Sequence, residues 1–169
     1  MQRRLFLTTI GATAAAPALA QRNLPNAPNP QIDYGGFERL TGEVRRLRAQ
    51  RLLPFARFKE LAARADTCLL DARSEAAFRE GHIKGAANLP LPDFNAVSLH
   101  ALIGAREQTI LIYCNNNFSN HRRPVPVKAA PLALNIQTFI NLVGYGYANV
   151  WELADVIDFD DPKVEWVAA

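Results

Sequence analysis

Cysteine, histidine and net charge are all scarce in this chain, and each shortage removes a class of function. Cys68 and Cys114 are the only cysteines in 169 residues. No Cys-x-x-Cys, Cys-x-x-Cys-His or His-Glu-x-x-His occurs, so dithiol redox, haem-attachment and helical zinc motifs are missing. His82, His100 and His121 fall at no metal-ligand spacing; no metal and no other cofactor is expected. Setting aside Arg3 and Arg4, 19 basic residues less these two stand against 16 acidic ones, a net charge of +1. That leaves nucleic-acid binding without a charge footprint. Long hydrophobic runs are missing as well. The apolar stretch after Arg4 is too short and too rich in Ala and Thr to read as a membrane span, and no cysteine follows Ala20 to carry a lipid, so no stable membrane anchor is expected.

What remains is a chain that is 49% hydrophobic and 21% charged, suited to one soluble domain with a real core. Residues 1–20, MQRRLFLTTIGATAAAPALA, combine a basic start, an apolar middle and an Ala-Leu-Ala end. They read as a twin-arginine-like export signal, with a Sec signal as the alternative, and place the protein in a periplasm. Residues 21–50 read as a Pro-rich linker through Gly35-Gly36 and an N-terminal helix, with Phe37, Leu40, Val44 and Leu47 as its apolar stripe. The opposite basic face, with Arg39, Arg45, Arg46 and Arg48, reads as solvated. Residues 51–169 are the main domain with a C-terminal tail.

Within that domain, short apolar runs alternate with helical patterns. Leu52-Leu53 suits an edge strand and Pro54 the start of a helix. Thr67–Asp71 is a strand, Ser74 caps a short helix that Gly81 ends, and Ala86–Leu89 is another short strand. A helix near Ser98–Ile103 leads to the strand Thr109–Tyr113, and Tyr147–Glu152 is the last strand. The pattern predicts a three-layer α/β domain on a parallel sheet. A helix is predicted over Ala130–Val143, with Leu132, Ile136, Phe139, Ile140 and Val143 as its core stripe. It has no charged residue, so something is expected to cover its outer face: the N-terminal segment, the loop before it or another subunit. Asp155, Asp158, Asp160 and Asp161 in the tail read as a solvated acidic turn.

The stretch Thr109–Lys128 draws most attention. Its β-branched and aromatic start is a strand buried on both faces. Cys114 follows, and then a polar, basic loop. This arrangement delivers a thiol to the carboxyl edge of a sheet, where open α/β folds bind ligands. A free cysteine is most often a small buried hydrophobe, but a thiolate needs an electropositive, partly exposed setting, and the loop favours that reading. Cys68 opens its strand whereas Cys114 ends its own. In a parallel sheet that offset of three residues, at ~3.3 Å each, places them ~10 Å out of register, too far for a disulfide.

Asp71-Ala72-Arg73, Phe78, the run Gly81–Pro90 (GHIKGAANLP), Ile112-Tyr113-Cys114 and Gly146–Leu153 together resemble the rhodanese domain. The resemblance covers about residues 52–153 and implies a three-layer α/β/α fold with a five-stranded parallel sheet of order 1-5-4-2-3. It implies a sulfurtransferase that moves sulfane sulfur from a small anionic donor such as thiosulfate, through a persulfide on Cys114, to a thiol acceptor, cyanide or a partner protein. Backbone N–H groups of the loop and the N-terminus of the next helix would stabilise the sulfur and lower its pKa. Asn115, Asn116, Asn117, Ser119, His121, Arg122 and Arg123 are the loop residues placed to bind the donor. Asp71, Arg73 and His82 match positions that support the fold beneath it. The sequence departs from the family in three respects, one being Ala154-Asp155 where a Gly-Gly pair is expected after the last strand. Ser119 stands where active members usually carry a loop arginine, and the loop is longer than usual. Asn120 likewise occupies the arginine position of the Cys-x5-Arg phosphatases, which disfavours that chemistry. The rival expectation is a non-catalytic rhodanese-like module that binds a partner or carries its sulfur.

Overall fold

The apolar run Thr109–Tyr113 becomes the middle of a parallel sheet in the computed structural model, which describes residues 29–168. The expected export signal and the linker up to residue 28 lie outside the described residues, and the compact unit that holds the sheet begins at Asp33. Seven strands follow in chain order: β1 (Leu52–Leu53), β2 (Thr67–Asp71), β3 (His82–Ile83), β4 (Ala87–Asn88), β5 (Thr109–Tyr113), β6 (Val150–Leu153) and β7 (Trp166–Val167). The main sheet has the order β1-β6-β5-β2-β4 and is parallel throughout. Counted within this sheet alone, the order is the 1-5-4-2-3 that the resemblance implies. Leu111 sits opposite Leu69 on one side and Trp151 on the other. That central position is why the run carries no polar residue after Thr109.

Among the described residues five helices cover the sheet: α1 (Tyr34–Arg48), α2 (Phe55–Ala62), α3 (Glu75–Glu80), α4 (Ala96–Ile103) and α5 (Leu134–Gly144). The period of two along the strands sorts the core into two halves. Leu70, Ile110, Ile112 and Val150 pack with Val44 of α1, Leu99 and Ile103 of α4, and Phe139, Ile140 and Leu142 of α5. Leu69, Leu111, Tyr113 and Leu153 pack with Phe58 of α2 and with Phe118, Phe159, Val164 and Trp166.

Four local expectations change. Gly35 and Gly36 belong to the first turn of α1, because Asp33 caps it and accepts a hydrogen bond from the Gly36 N–H at 2.8 Å. Phe37 is half exposed, so the buried stripe begins at Leu40. The helix predicted over 130–143 breaks at Ala133: Ala130–Leu132 is a separate 3-10 turn with Leu132 exposed, and α5 starts at Leu134. The last strand begins at Val150 rather than Tyr147.

The charge-free α5 is covered by α1. Leu40, Val44 and Leu47 join the core that α5 builds, and a Cβ at Gly144 would lie only 3.0 Å from Leu40 Cδ2. The four aspartates of the acidic tail are exposed, as expected, but they also serve the fold. The Asp155 carboxylate accepts the Phe55 N–H at 2.7 Å and so caps α2, whose own N-cap position is proline. Beyond it β7 pairs antiparallel with β3, and Trp166 lies where any Cβ at Gly81 would meet its indole.

Candidate active site around Cys114

Cys114 is the residue after β5, and alternation along the strand turns it to the face covered by α1 and α5. It is 1% exposed. Backbone N–H groups of Asn135, Asn116 and Leu134 converge on its sulfur, two of them from the first turn of α5. Donors from both the loop and the N-terminus of the next helix are expected, and both are found. Here the longer loop leaves the sulfur after Asn117 and the chain returns to it at Leu134, so the helix N-terminus supplies most of the cradle. Burial pushes the thiol pKa up, the N–H donors pull it down, and the negative charge of Glu152 raises it further; burial wins. The lowered pKa expected from these donors is therefore not found in the resting thiol.

The asparagines bolt this geometry together. Asn117 Oδ1 accepts from the Cys114 N–H at 2.9 Å and from Asn135 Nδ2 at 3.1 Å, while Asn117 Nδ2 donates to the Leu153 and Asp155 carbonyls. Asn116 exchanges two hydrogen bonds with the Lys128 backbone, and Asn115 Nδ2 donates to the Pro126 carbonyl at 2.8 Å. Asn116 and Asn117 also face the sulfur's cavity; Asn115 does not.

That cavity measures about 580 Å³. Val44, Ile136, Phe139, Ile140, Leu153 and Val156 make it largely apolar, with Cys114 and Asn135 among its lining residues. Its charged groups come from α1 and β6. Arg48 holds the buried Glu152 through two hydrogen bonds, at 2.5 and 2.7 Å, and Arg45 stands one turn earlier on the rim.

The rest of the loop is turned elsewhere. Phe118 bridges to Ile157, Ser119 bonds the Ile157 carbonyl, and Asn120 holds Asp158. Arg122 pairs with Asp160 at 2.6 Å and lies over the Phe159 ring, Arg123 pairs with Glu80, and His121 is exposed at a corner with φ of 49°. None of Ser119, His121, Arg122 and Arg123 lines the cavity. Asp160 and Glu80 already neutralise the two arginines, so the basic pair brings no charge to Cys114.

Asp71, Arg73 and His82 gather on the opposite face. Arg73 Nη2 donates to Asp71 at 2.5 Å and to the Gly81 carbonyl at 2.7 Å, and Nη1 donates to the Pro124 carbonyl at 3.2 Å, which pins the loop from behind. Tyr113 Oη donates to Asp71 at 2.7 Å, and burial pushes its pKa well up. His82 Nδ1 donates to the Phe78 carbonyl at 2.9 Å with its ring stacked on Phe78. All three residues act as supports.

A central parallel strand thus delivers Cys114 to the N-terminus of the next helix, at the edge where open α/β sheets bind ligands. A family model described as "Rhodanese-like domain" matches residues 55–155, and the chain belongs to that family. The crystal structure of thiosulfate sulfurtransferase from Pseudomonas aeruginosa is similar in fold, with a TM-score of 0.50 at 23% sequence identity. The match covers 70% of this chain and 20% of that one, so this chain spans about a fifth of that protein's length. No curated protein matches the chain in sequence.

Arg48, Glu152, Arg45 and Asn135 are the site residues that sequence reasoning misses. The signal for them is indirect: a helix without charge has to be covered, and the basic face of the covering helix then reaches the cysteine.

Proposed function

We propose that this protein is a sulfurtransferase-type domain whose Cys114 carries sulfane sulfur as a persulfide. The observation that carries the reading is the convergence of the Asn116, Leu134 and Asn135 N–H groups on one sulfur that faces an open cavity. Such donors stabilise negative charge on sulfur without a side-chain cation. The Cys114 thiolate attacks the outer sulfur of an anionic donor such as thiosulfate. The donor's sulfur–sulfur bond breaks, and sulfite leaves with the electron pair. A thiol or cyanide then attacks the outer sulfur of the persulfide and regenerates the thiolate. Incubation with thiosulfate should add one sulfur atom to the intact mass of the wild type and none to Cys114→Ser. No addition from several sulfane donors would defeat the reading.

One observation favours a second reading, a non-catalytic carrier or binding module: the loop arginines are committed to Asp160 and Glu80, and Ser119 supplies no cation. Under that reading Cys114 loads sulfur stoichiometrically but gives no turnover in a thiosulfate:cyanide assay. We also propose export to the periplasm, by the twin-arginine route or by Sec. N-terminal sequencing of the mature protein after Ala20 tests export, and a twin-lysine variant tests the route.

A further inference from the structure

We propose that the sulfur donor seated on Cys114 is an organic persulfide with an apolar body and an anionic head, held beneath α1 with Arg45 anchoring the anion. This rests on the sulfur-carrying role of Cys114 and names the substrate class. Four observations support it. The cavity of about 580 Å³ lies in the range of about 300–1,000 Å³ that takes drug-sized ligands, and thiosulfate fills only a small part of it. Its walls at Val44, Ile136, Phe139 and Ile140 reward burial of hydrocarbon and give a small oxyanion nothing. Asn135 is 3% exposed and lines the cavity, yet its Oδ1 has no hydrogen-bond partner. A buried acceptor left open in this way suits an N–H or O–H on the ligand. Finally, Arg48 is engaged by Glu152, whereas Arg45 on the same rim has no acidic partner among the described residues.

The transfer balances without an outside oxidant or reductant. The Cys114 thiolate attacks the terminal sulfur of R–S–SH and a new sulfur–sulfur bond forms. The old one breaks, and its electron pair leaves on R–S⁻, which takes up a proton from solvent.

Alkanesulfonates of increasing chain length, from methane- to hexanesulfonate, test the seat without chemistry when titrated calorimetrically into Cys114→Ser. Affinity should rise by up to about fourfold per methylene. Arg45→Ala should weaken the whole series alike and leave that slope intact, and Ala130→Trp at the rim should flatten it for the longer members. In the wild type the matching alkanethiosulfonates should load sulfur onto Cys114 with kcat/KM rising in the same order, and thiosulfate should be the poorest donor. A flat affinity series overturns the inference. So does a protein that loads from thiosulfate but gains nothing from longer thiosulfonates, and in that case the sulfurtransferase reading survives. If no donor loads Cys114, both fall. Circular dichroism of each variant separates lost binding from lost fold.

Discussion

On one face of the sheet Asp71 is held by Arg73; on the other Glu152 is held by Arg48. Both carboxylates are buried, yet the surroundings differ. Arg73 is itself 2% exposed in its side chain and donates to Asp71, the Gly81 carbonyl and the Pro124 carbonyl, and Tyr113 closes the last position on Asp71. Both Asp71 oxygens and all three Arg73 guanidinium nitrogens are hydrogen-bonded inside the fold, which makes the pair a fastening. Arg48 is 39% exposed, has Glu152 as its only side-chain partner among the described residues and borders the cavity that holds Cys114. A buried charge pair that opens onto a cavity can shift with a ligand or act on a neighbour's pKa. A closed pair cannot do so without unfolding something. The domain thus keeps its closed scaffold pair and its candidate site on separate faces of one sheet.

The largest effect should come from breaking the closed pair. Arg73→Ala strands a buried Asp71 and releases the loop carbonyl, and should lower unfolding free energy by about 3–5 kcal/mol in urea titrations. Arg48→Ala should cost less, about 2 kcal/mol, because solvent already screens that guanidinium; equal losses would erase the distinction between the faces. A third measurement probes burial on the open face, where Cys68 packs with the α1 and α5 core. Burial pushes the Cys68 pKa up from 9.0 to about 11. The native state keeps this proton where the unfolded chain loses it, so the contribution is full below pH 9 and is lost as pH rises toward 11. Wild type should lose about 1.4 kcal/mol by pH 10 relative to Cys68→Ala, read from urea midpoints across pH.

Reactivity separates the faces further. Glu152→Gln removes a charge that raises the Cys114 pKa, so alkylation by iodoacetamide at neutral pH should speed up severalfold. Arg48→Ala should slow it, and Asp71→Asn should leave it unchanged in molecules that remain folded. The smallest effect is expected from Arg122→Ala with Arg123→Ala. Both side chains are exposed and paired away from the cavity, so sulfur loading of Cys114 and its salt dependence should match wild type within error. A clear loss of loading would return the loop arginines to the site.

Much of this architecture is legible in the residues. The apolar run ending at Tyr113, the caps at Ser74 and Gly81 and the charge-free stretch after Ala129 are local signals, and the strands, the short helix and the cover over α5 follow from them. The placing of Arg122 and Arg123 fails because it depends on partners 38 and 43 residues away in sequence, and no local pattern announces Asp160 or Glu80. The structural use of the acidic tail is missed for the same reason. Asp155 caps a helix 100 residues earlier, which no spacing within the tail reveals. Arg48 looks solvated until its partner, 104 residues on, is known to be buried.

Those long separations have a consequence for how the protein is made. Cys114 leaves the ribosome well before Glu152, before Leu153 and Asp155, whose carbonyls fix Asn117, and before the 157–160 segment that pins the loop. Until that segment emerges, β5 lacks β6 as its neighbour and the nascent thiol has no enclosure. Vectorial synthesis therefore leaves an exposed cysteine for the time it takes to add some forty residues, a few seconds at about 5–20 residues per second. The enclosure that raises the thiol's pKa is the last feature of the site to arrive, so the nascent chain is the form in which Cys114 is most open to adventitious oxidation.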